Sequence, residues 1–193
     1  MTYVIGISGP PRSGKDTLAN VLTTGFSLAA QRMSLSTPMR HAIYAMLGKD
    51  YTETDYETRK DMVQEQLGGQ TIRQAMIALS EEHVKPRYGE DFWARSTISA
   101  VMQLHDRPQL LVIPDMGFDE EVEALEDAFG ADNCMWPHLS RPNHSFRGDS
   151  RGYVGRPERV VPLHNPGVDG AAFFHAAAMK VMTIADVWGW KFS

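Results

Sequence analysis

The stretch Tyr3-Val-Ile-Gly-Ile-Ser-Gly-Pro-Pro-Arg-Ser-Gly-Lys-Asp-Thr17 decides the class of fold. Tyr3–Ser8 is short and β-rich, as a strand requires, and leucine and alanine recur at helical spacing from Lys15 to about Ala30. Between them Gly9 and Gly14 fit the pattern Gly-x-x-x-x-Gly-Lys. Such a loop wraps a phosphate with backbone N–H groups, and the helix that follows points its positive end at it. A Gly/Pro turn carrying a solvated lysine is the plainer alternative, but the strand before and the helix after favour the phosphate loop. One letter departs from the pattern: Ser or Thr usually follows the lysine, and here Asp16 does. A carboxylate is as hard an oxygen donor for Mg²⁺ as a hydroxyl, and negative charge is favoured in a first helical turn. Asp16 is therefore read as a Mg²⁺ ligand, with Thr17 contacting the α-phosphate or serving as a second metal ligand. A helix cap without metal is the alternative for Asp16.

The rest of the chain alternates strands and helices. A short strand is predicted over Arg32–Ser36 and a helix from Pro38; 52–66 is charged and mixed, and helices are predicted over 71–84 and 91–105, broken at Pro86–Gly89. Gln109–Pro114 is a continuous apolar run suited to the middle of a parallel sheet, and it ends on Asp115. A carboxylate there is costly unless paired or linked to a metal. Either a metal or acceptor role or a structural turn cap answers that cost. A helix over 119–129, strands over 134–139 and 160–164 and a helix over 171–187 follow. This order predicts a mostly parallel sheet covered by helices on both faces, with ligands at the carboxyl ends of the strands.

Composition narrows the function. The 193 residues suit one domain, and a net charge of −5 speaks against a general nucleic-acid binder. No apolar run approaches the ~20 residues of a membrane span, the first strand begins too early for a signal peptide, and the single Cys134 suits a reducing compartment. The expected location is the cytoplasm. Against the acidic background, Arg141, Arg147, Arg151, Arg156 and Arg159 face only Asp149 and Glu158, an island suited to a small anionic ligand. That stretch is irregular and rich in Gly, Pro, Ser and Asn, as lids often are. The seven histidines show no metal-ligand spacing, and Trp188–Phe192 is expected to pack the last helix onto the domain.

Arg12-Ser-Gly-Lys-Asp-Thr17 resembles the phosphate loop of the deoxynucleoside monophosphate kinases of tailed bacteriophages. Leu35–Arg40, Arg73–Leu79, Arg87–Trp93, Pro114-Asp115 with Glu120 or Glu121, Arg141-Pro142 and Asn165-Pro-Gly167 continue the likeness in order. It covers nearly all the chain, though only the loop is specific. Asp115-Met-Gly117 stands where that family reads Asp-x-Arg, so an arginine is missing at Gly117 and a nearby arginine is the expected substitute. Ser80-Glu-Glu82 stands where the family has Gly-Thr-Glu.

The resemblance implies a P-loop kinase, a three-layer α/β/α domain with a mostly parallel five-stranded sheet. Its core would be 1–36, 107–140 and 160–193, its nucleoside-monophosphate-binding helical region 37–106 and its arginine-rich lid 141–159. It implies transfer of the ATP γ-phosphate, with Mg²⁺, to a deoxynucleoside 5′-monophosphate, in host cytoplasm if the chain is phage-encoded, with a homodimer possible. Gly9, Arg12, Ser13, Gly14, Lys15, Asp16, Thr17, Arg141, Asn165 and Gly167 would bind ATP. Arg40, Arg73, Gln74, Arg87, Trp93, Arg95 and Asp115 would bind the acceptor. Lys15, Arg12, Asp16, Asp115 and Arg151 would carry catalysis, with Arg147, Arg151 and Arg156 swinging in from the lid. Phosphomevalonate kinases resemble the same loop, and a nucleotide-binding switch without transfer is a third reading.

Overall fold

In the computed structural model, which describes residues 1–167 and 170–192, the chain opens with β1 (Tyr3–Gly6), α1 (Lys15–Thr24) and β2 (Ala30–Arg32). There follow α2 (Thr37–Met46), α3 (Glu53–Arg59), β3 (Val63–Gln64), β4 (Gln70–Thr71), α4 (Ile72–Ala78), α5 (Lys85–Tyr88) and α6 (Phe92–Met102). The chain then runs through β5 (Leu110–Ile113), α7 (Asp119–Phe129), β6 (Cys134–Ser140), β7 (Val160–His164) and α8 (Gly170–Val187). Two compact units result: Met1–Leu35 with the chain from Ala94 onward, and Ser36–Trp93. The inserted unit therefore ends at Trp93, short of the boundary at 106 read from the sequence. No helix of the described residues is long and apolar enough to cross a membrane.

In the first unit five strands form a sheet in the order β2-β5-β1-β6-β7, and every pairing is parallel. This is the α/β architecture expected from the alternation of elements. The two-residue period of the central strands sorts their side chains onto opposite faces. Tyr3 and Ile5 of β1 and Leu110 and Val112 of β5 join one core cluster with Leu18 and Leu22 of α1 and Phe174, Ala178 and Val181 of α8. Val4, Leu111 and Ile113 alternate to the other face and are just as fully buried, and α7 buries Val122 and Leu125. Each such side chain contributes roughly 1.5–3 kcal/mol on burial. Because β1 is central and buried at every residue, the loop that leaves its carboxyl end is anchored at the middle of the sheet.

The second strand begins two residues earlier and ends four residues earlier than predicted: Ala30–Arg32 pairs with Leu110–Val112. The last residues behave as expected. Trp190 is buried and stacks on Tyr3 with ring centroids 4.6 Å apart, its Nε1 donates to the Asp132 carbonyl (3.0 Å), and the Lys191 N–H donates to the Tyr3 hydroxyl (2.9 Å).

The second unit has its own core of Ile43, Tyr44, Tyr56, Leu67, Ile72, Ala75 and Met76. Two of its features escape a sequence reading. Gly68 and Gly69, with φ of 65° and 80°, turn β3 back onto β4 as a short antiparallel hairpin. The break predicted over Pro86–Gly89 begins only at its last residue, Gly89. The chain stays helical from Ile72 to Tyr88 because a π-helical stretch over Leu79–Val84 relaxes the hydrogen-bond register and places Pro86 in the first turn of α5, where its missing N–H is not needed. The helix stops at Gly89, with φ of 100°.

Cys134 is wholly buried in β6, and burial, followed by the charge of Glu126, pushes its thiol up to about 12. Native protein is therefore expected not to react with a disulfide reagent at neutral pH over minutes and to react stoichiometrically once unfolded. Stoichiometric reaction of the folded protein would contradict this burial.

Candidate functional site

The loop between β1 and α1 is shaped by backbone conformation and held from outside. Gly14 precedes the first turn of α1 with φ of 103°, and a Cβ there would stand 2.4 Å from the Phe174 ring. Only glycine meets both demands. Arg12 also has positive φ (63°), a sparsely populated conformation for a side-chain-bearing residue. Its carbonyl accepts from Arg141 Nη1 (2.9 Å). The next carbonyl, of Ser13, accepts from Nδ2 of the buried Asn165 (2.8 Å), while Asn165 Oδ1 accepts the Gly167 N–H (2.9 Å). The buried hydroxyls of Ser8 and Ser13 have no hydrogen-bond partner among the described residues. Gly14, Thr17, Arg141, Asn165, Gly167, Gly170 and Phe174 line a shallow pocket beside the loop, so five residues assigned from the sequence to ATP surround one depression.

Lys15, at the start of α1, is buried, and its ammonium donates to the carbonyls of Gly9 (2.6 Å) and Pro10 (2.9 Å). Burial, and then the neighbouring charge of Arg151, lowers its pKa to about 8, so at neutral pH it remains largely charged. Asp16 is exposed and ion-paired with Arg32 at the end of β2. Nothing in the sequence marks Arg32 for the site, since the predicted strand Arg32–Ser36 puts it at the strand's start and the structure puts it at the end of β2. Asp115 accepts from the Ser34 hydroxyl (2.6 Å) and the Leu35 N–H (3.0 Å), tying the end of β5 to the segment after β2.

The donor chemistry of Asp16 and Thr17, a carboxylate beside a hydroxyl, suits Mg²⁺. Among the described residues no three acidic, His or Cys side chains cluster to hold a metal by themselves. An ion held here would take its other ligands from phosphate and water.

Within the expected lid, 141–159, residues 151–156 are fastened in this structure. Val154 is buried, its carbonyl bonds His138 Nε2 (2.8 Å), and the Tyr153 ring stacks on His138 at 4.8 Å. Gly155 lies against Trp136, where a Cβ would be 2.3 Å from the indole, and Arg156 Nε is 2.6 Å from the buried Glu126 carboxylate. Arg151 is clamped by Asp149 and rests on Gly117. Arg151 and Arg156 are thus docked in place, because a buried valine, an aromatic stack and a buried carboxylate fasten 151–156. Sequence composition shows the Gly and Pro of this stretch but not those partners.

The residues assigned to the acceptor are distributed between the units. In the second unit Arg40 lies over the Tyr56 ring at 4.3 Å and donates to Tyr51 (3.1 Å) and Glu53 (2.7 Å). Arg73 pairs with Asp61 (2.8 Å), and Arg87 donates to the His83 carbonyl (2.9 Å). Gln74 closes a capping box with Thr71 at the start of α4, and the buried Trp93 donates to Ser80 Oγ (3.0 Å) in the π-helical stretch. Arg95 is an exposed residue of α6 in the first unit.

No family model matches the chain, and no curated protein matches it. Among solved structures it is similar to a shikimate kinase from Acinetobacter baumannii in complex with shikimate, at 14% identity over 99% of this chain and 97% of that one, with a TM-score of 0.49. It is also similar to a sugar kinase from Janibacter sp. HTCC2649 (15%, 97% and 98%, 0.46) and a gluconokinase from Sinorhizobium meliloti 1021 (8%, 97% and 97%, 0.45). Likeness of this degree assigns neither family nor substrate. The α/β fold stands on the chain's own parallel sheet and strand order.

Proposed function

We propose that the protein is an ATP-dependent kinase that transfers the γ-phosphate to the phosphate of a deoxynucleoside 5′-monophosphate. The observation that carries this reading is the loop from Gly9 to Lys15. It leaves the carboxyl end of the central strand, enters the amino end of α1, and holds a buried lysine at the carbonyls of Gly9 and Pro10. The acceptor atom in such a transfer is already a phosphate oxygen, so no strong general base is needed and catalysis is positioning plus charge neutralisation. Loop N–H groups and Lys15 would hold the β- and γ-phosphates of ATP, the pocket of Arg141, Asn165 and Gly167 its nucleoside, and Asp16 with Thr17 the Mg²⁺. The ion that Asp16 and Thr17 would hold would supply positive charge against the charge that develops on the phosphates. Arg12 and Arg151 would face the transferring group, Arg40, Arg73 and Arg87 are the acceptor candidates, and exclusion of water would suppress ATP hydrolysis. Asp16 would exchange its partner Arg32 for the metal.

Incubation with Mg·ATP and a panel of dAMP, dGMP, dCMP, dTMP and dUMP, following ADP release, tests the reading; turnover with none of them sinks it. Phosphomevalonate belongs in the same panel, because the Ser13–Asp16 loop suits a small-metabolite kinase equally well. Asp16→Ser is expected to keep at least about a tenth of wild-type turnover, a hydroxyl being an acceptable Mg²⁺ ligand, and Asp16→Ala to keep far less. Equal loss in both variants would assign Asp16 a task no hydroxyl performs.

A further inference from the structure

Arg151 is a flexible residue on an irregular segment, yet it is fixed along its whole length. Its backbone N–H and Nε donate to Asp149 Oδ1 (3.1 and 2.9 Å), and Nη2 donates to Oδ2 (2.7 Å). Its stem lies on Gly117, where a Cβ would be 2.4–2.7 Å from its Cβ, Cγ and Cδ atoms. Gly117 is itself held, since its N–H donates to the buried Glu121 carboxylate (2.9 Å) and its carbonyl accepts the Gly152 N–H (3.1 Å). Gly117 follows the carboxyl end of β5, whose Ile113 carbonyl accepts the Ile7 N–H just past the end of β1 (2.7 Å), so the seat of Arg151 and the Gly9–Lys15 loop stand at the carboxyl ends of neighbouring parallel strands. An arginine fixed at that edge of the sheet, on the side from which the phosphate loop leaves, is placed for a polyanion.

We propose that Asp149 is a positioning residue that, with Gly117 as its seat, holds Arg151 ready as the second cation of the polyphosphate site. This rests on the reading of the Gly9–Lys15 loop as a polyphosphate site. The proposal makes a prediction of unusual sign. A carboxylate that merely lies near an anion site weakens anion binding, so its removal tightens it. A carboxylate that orients the binding arginine does the reverse, because the freed side chain must be ordered at the moment of binding.

The test is the affinity of the whole chain for inorganic tripolyphosphate without metal, measured calorimetrically. Arg151→Met is expected to weaken binding about tenfold, the worth of a charge-assisted contact. Asp149→Asn should weaken it in the same direction, and the double variant should be no weaker than Arg151→Met alone. Gly117→Ala, which removes no charge, should also weaken binding by displacing Arg151, with the melting temperature reported alongside to show the fold retained. In the kinase assay Asp149→Asn should lower kcat and raise KM for ATP, and neither effect should appear on the Arg151→Met background. Tighter or unchanged binding in Asp149→Asn, or full additivity of the two substitutions, overturns the proposal while leaving the phosphate site standing. If Lys15→Ala binds tripolyphosphate as wild type does, the phosphate site itself falls, and the proposal with it.

Discussion

Lys15→Ala is expected to lower phosphoryl transfer by about a thousandfold or more while leaving the fold intact. The ammonium stands at the start of α1 inside the curl of the loop, bonded in the free protein to the carbonyls of Gly9 and Pro10. Those two bonds use a charge that burial makes expensive, which is why its pKa falls to about 8. Stability gains little from such an arrangement, since the cost of removing the charge from water offsets most of what the bonds return. Alanine should therefore leave the melting temperature nearly unchanged. A polyphosphate gains far more, because its oxygens would replace two neutral acceptors with charged ones in a water-poor site. Steady-state ADP release and thermal unfolding, measured on the same preparation, separate the two effects. Retention of a tenth of the activity would show that the lysine serves the loop and not the ligand.

The second large effect is structural. Trp136→Ala is expected to cost about 3–5 kcal/mol of stability, as deletion of a fully buried indole does. Trp136 is fully buried, and its Nε1 donates to Glu126 Oε1 (3.2 Å). Gly6 and Gly155 come so close that a Cβ on either would lie within 2.7 Å of the indole. Truncation leaves a cavity, takes a donor from a buried carboxylate and removes the surface on which Gly155 rests. Urea unfolding should show the loss, and limited proteolysis should show faster cleavage within 142–159 than in the wild type. Trp136→Phe, which fills much of the volume but lacks the N–H, should lose less. A loss under about 1 kcal/mol for the alanine variant would mean that 151–156 is fastened by other contacts.

How much of this was legible in the sequence follows from how local each cause is. The first strand and its loop, the buried run at 110–113 and the span of α7 are written in periodicity and in glycine placement, and the structure has them where those patterns put them, whereas α1 stops at Thr24, short of the predicted end near Ala30, where β2 begins. The parallel sheet followed from alternation alone. What lies outside the sequence reading depends on partners far along the chain. β2 begins at Ala30 because it pairs with Leu110, and no property of 30–36 by itself fixes that register. Asp16 has a specific partner in Arg32, sixteen residues on, which a motif built on 9–17 cannot contain. The docking of 151–156 requires Trp136, His138, Glu126 and Gly117, so a stretch that reads as loose from its glycines is tightly held. The absence of an arginine at Gly117 reads as a deficit in one dimension. In three, the space above that glycine is filled by Arg151.

The bonds from Arg141 and Asn165 to the carbonyls of Arg12 and Ser13 span 129 and 152 residues. The loop is synthesised well before the groups that set its curvature. Its parent strand likewise waits at the centre of the sheet for β5 on one side and β6 on the other. Order of synthesis and order of completion are therefore reversed. A nascent chain that has not yet reached Gly167 carries every letter of the phosphate motif without the means to hold its shape, and such long-range closure is a late event in folding. Ligand capture by this loop would then report that the whole first unit has assembled.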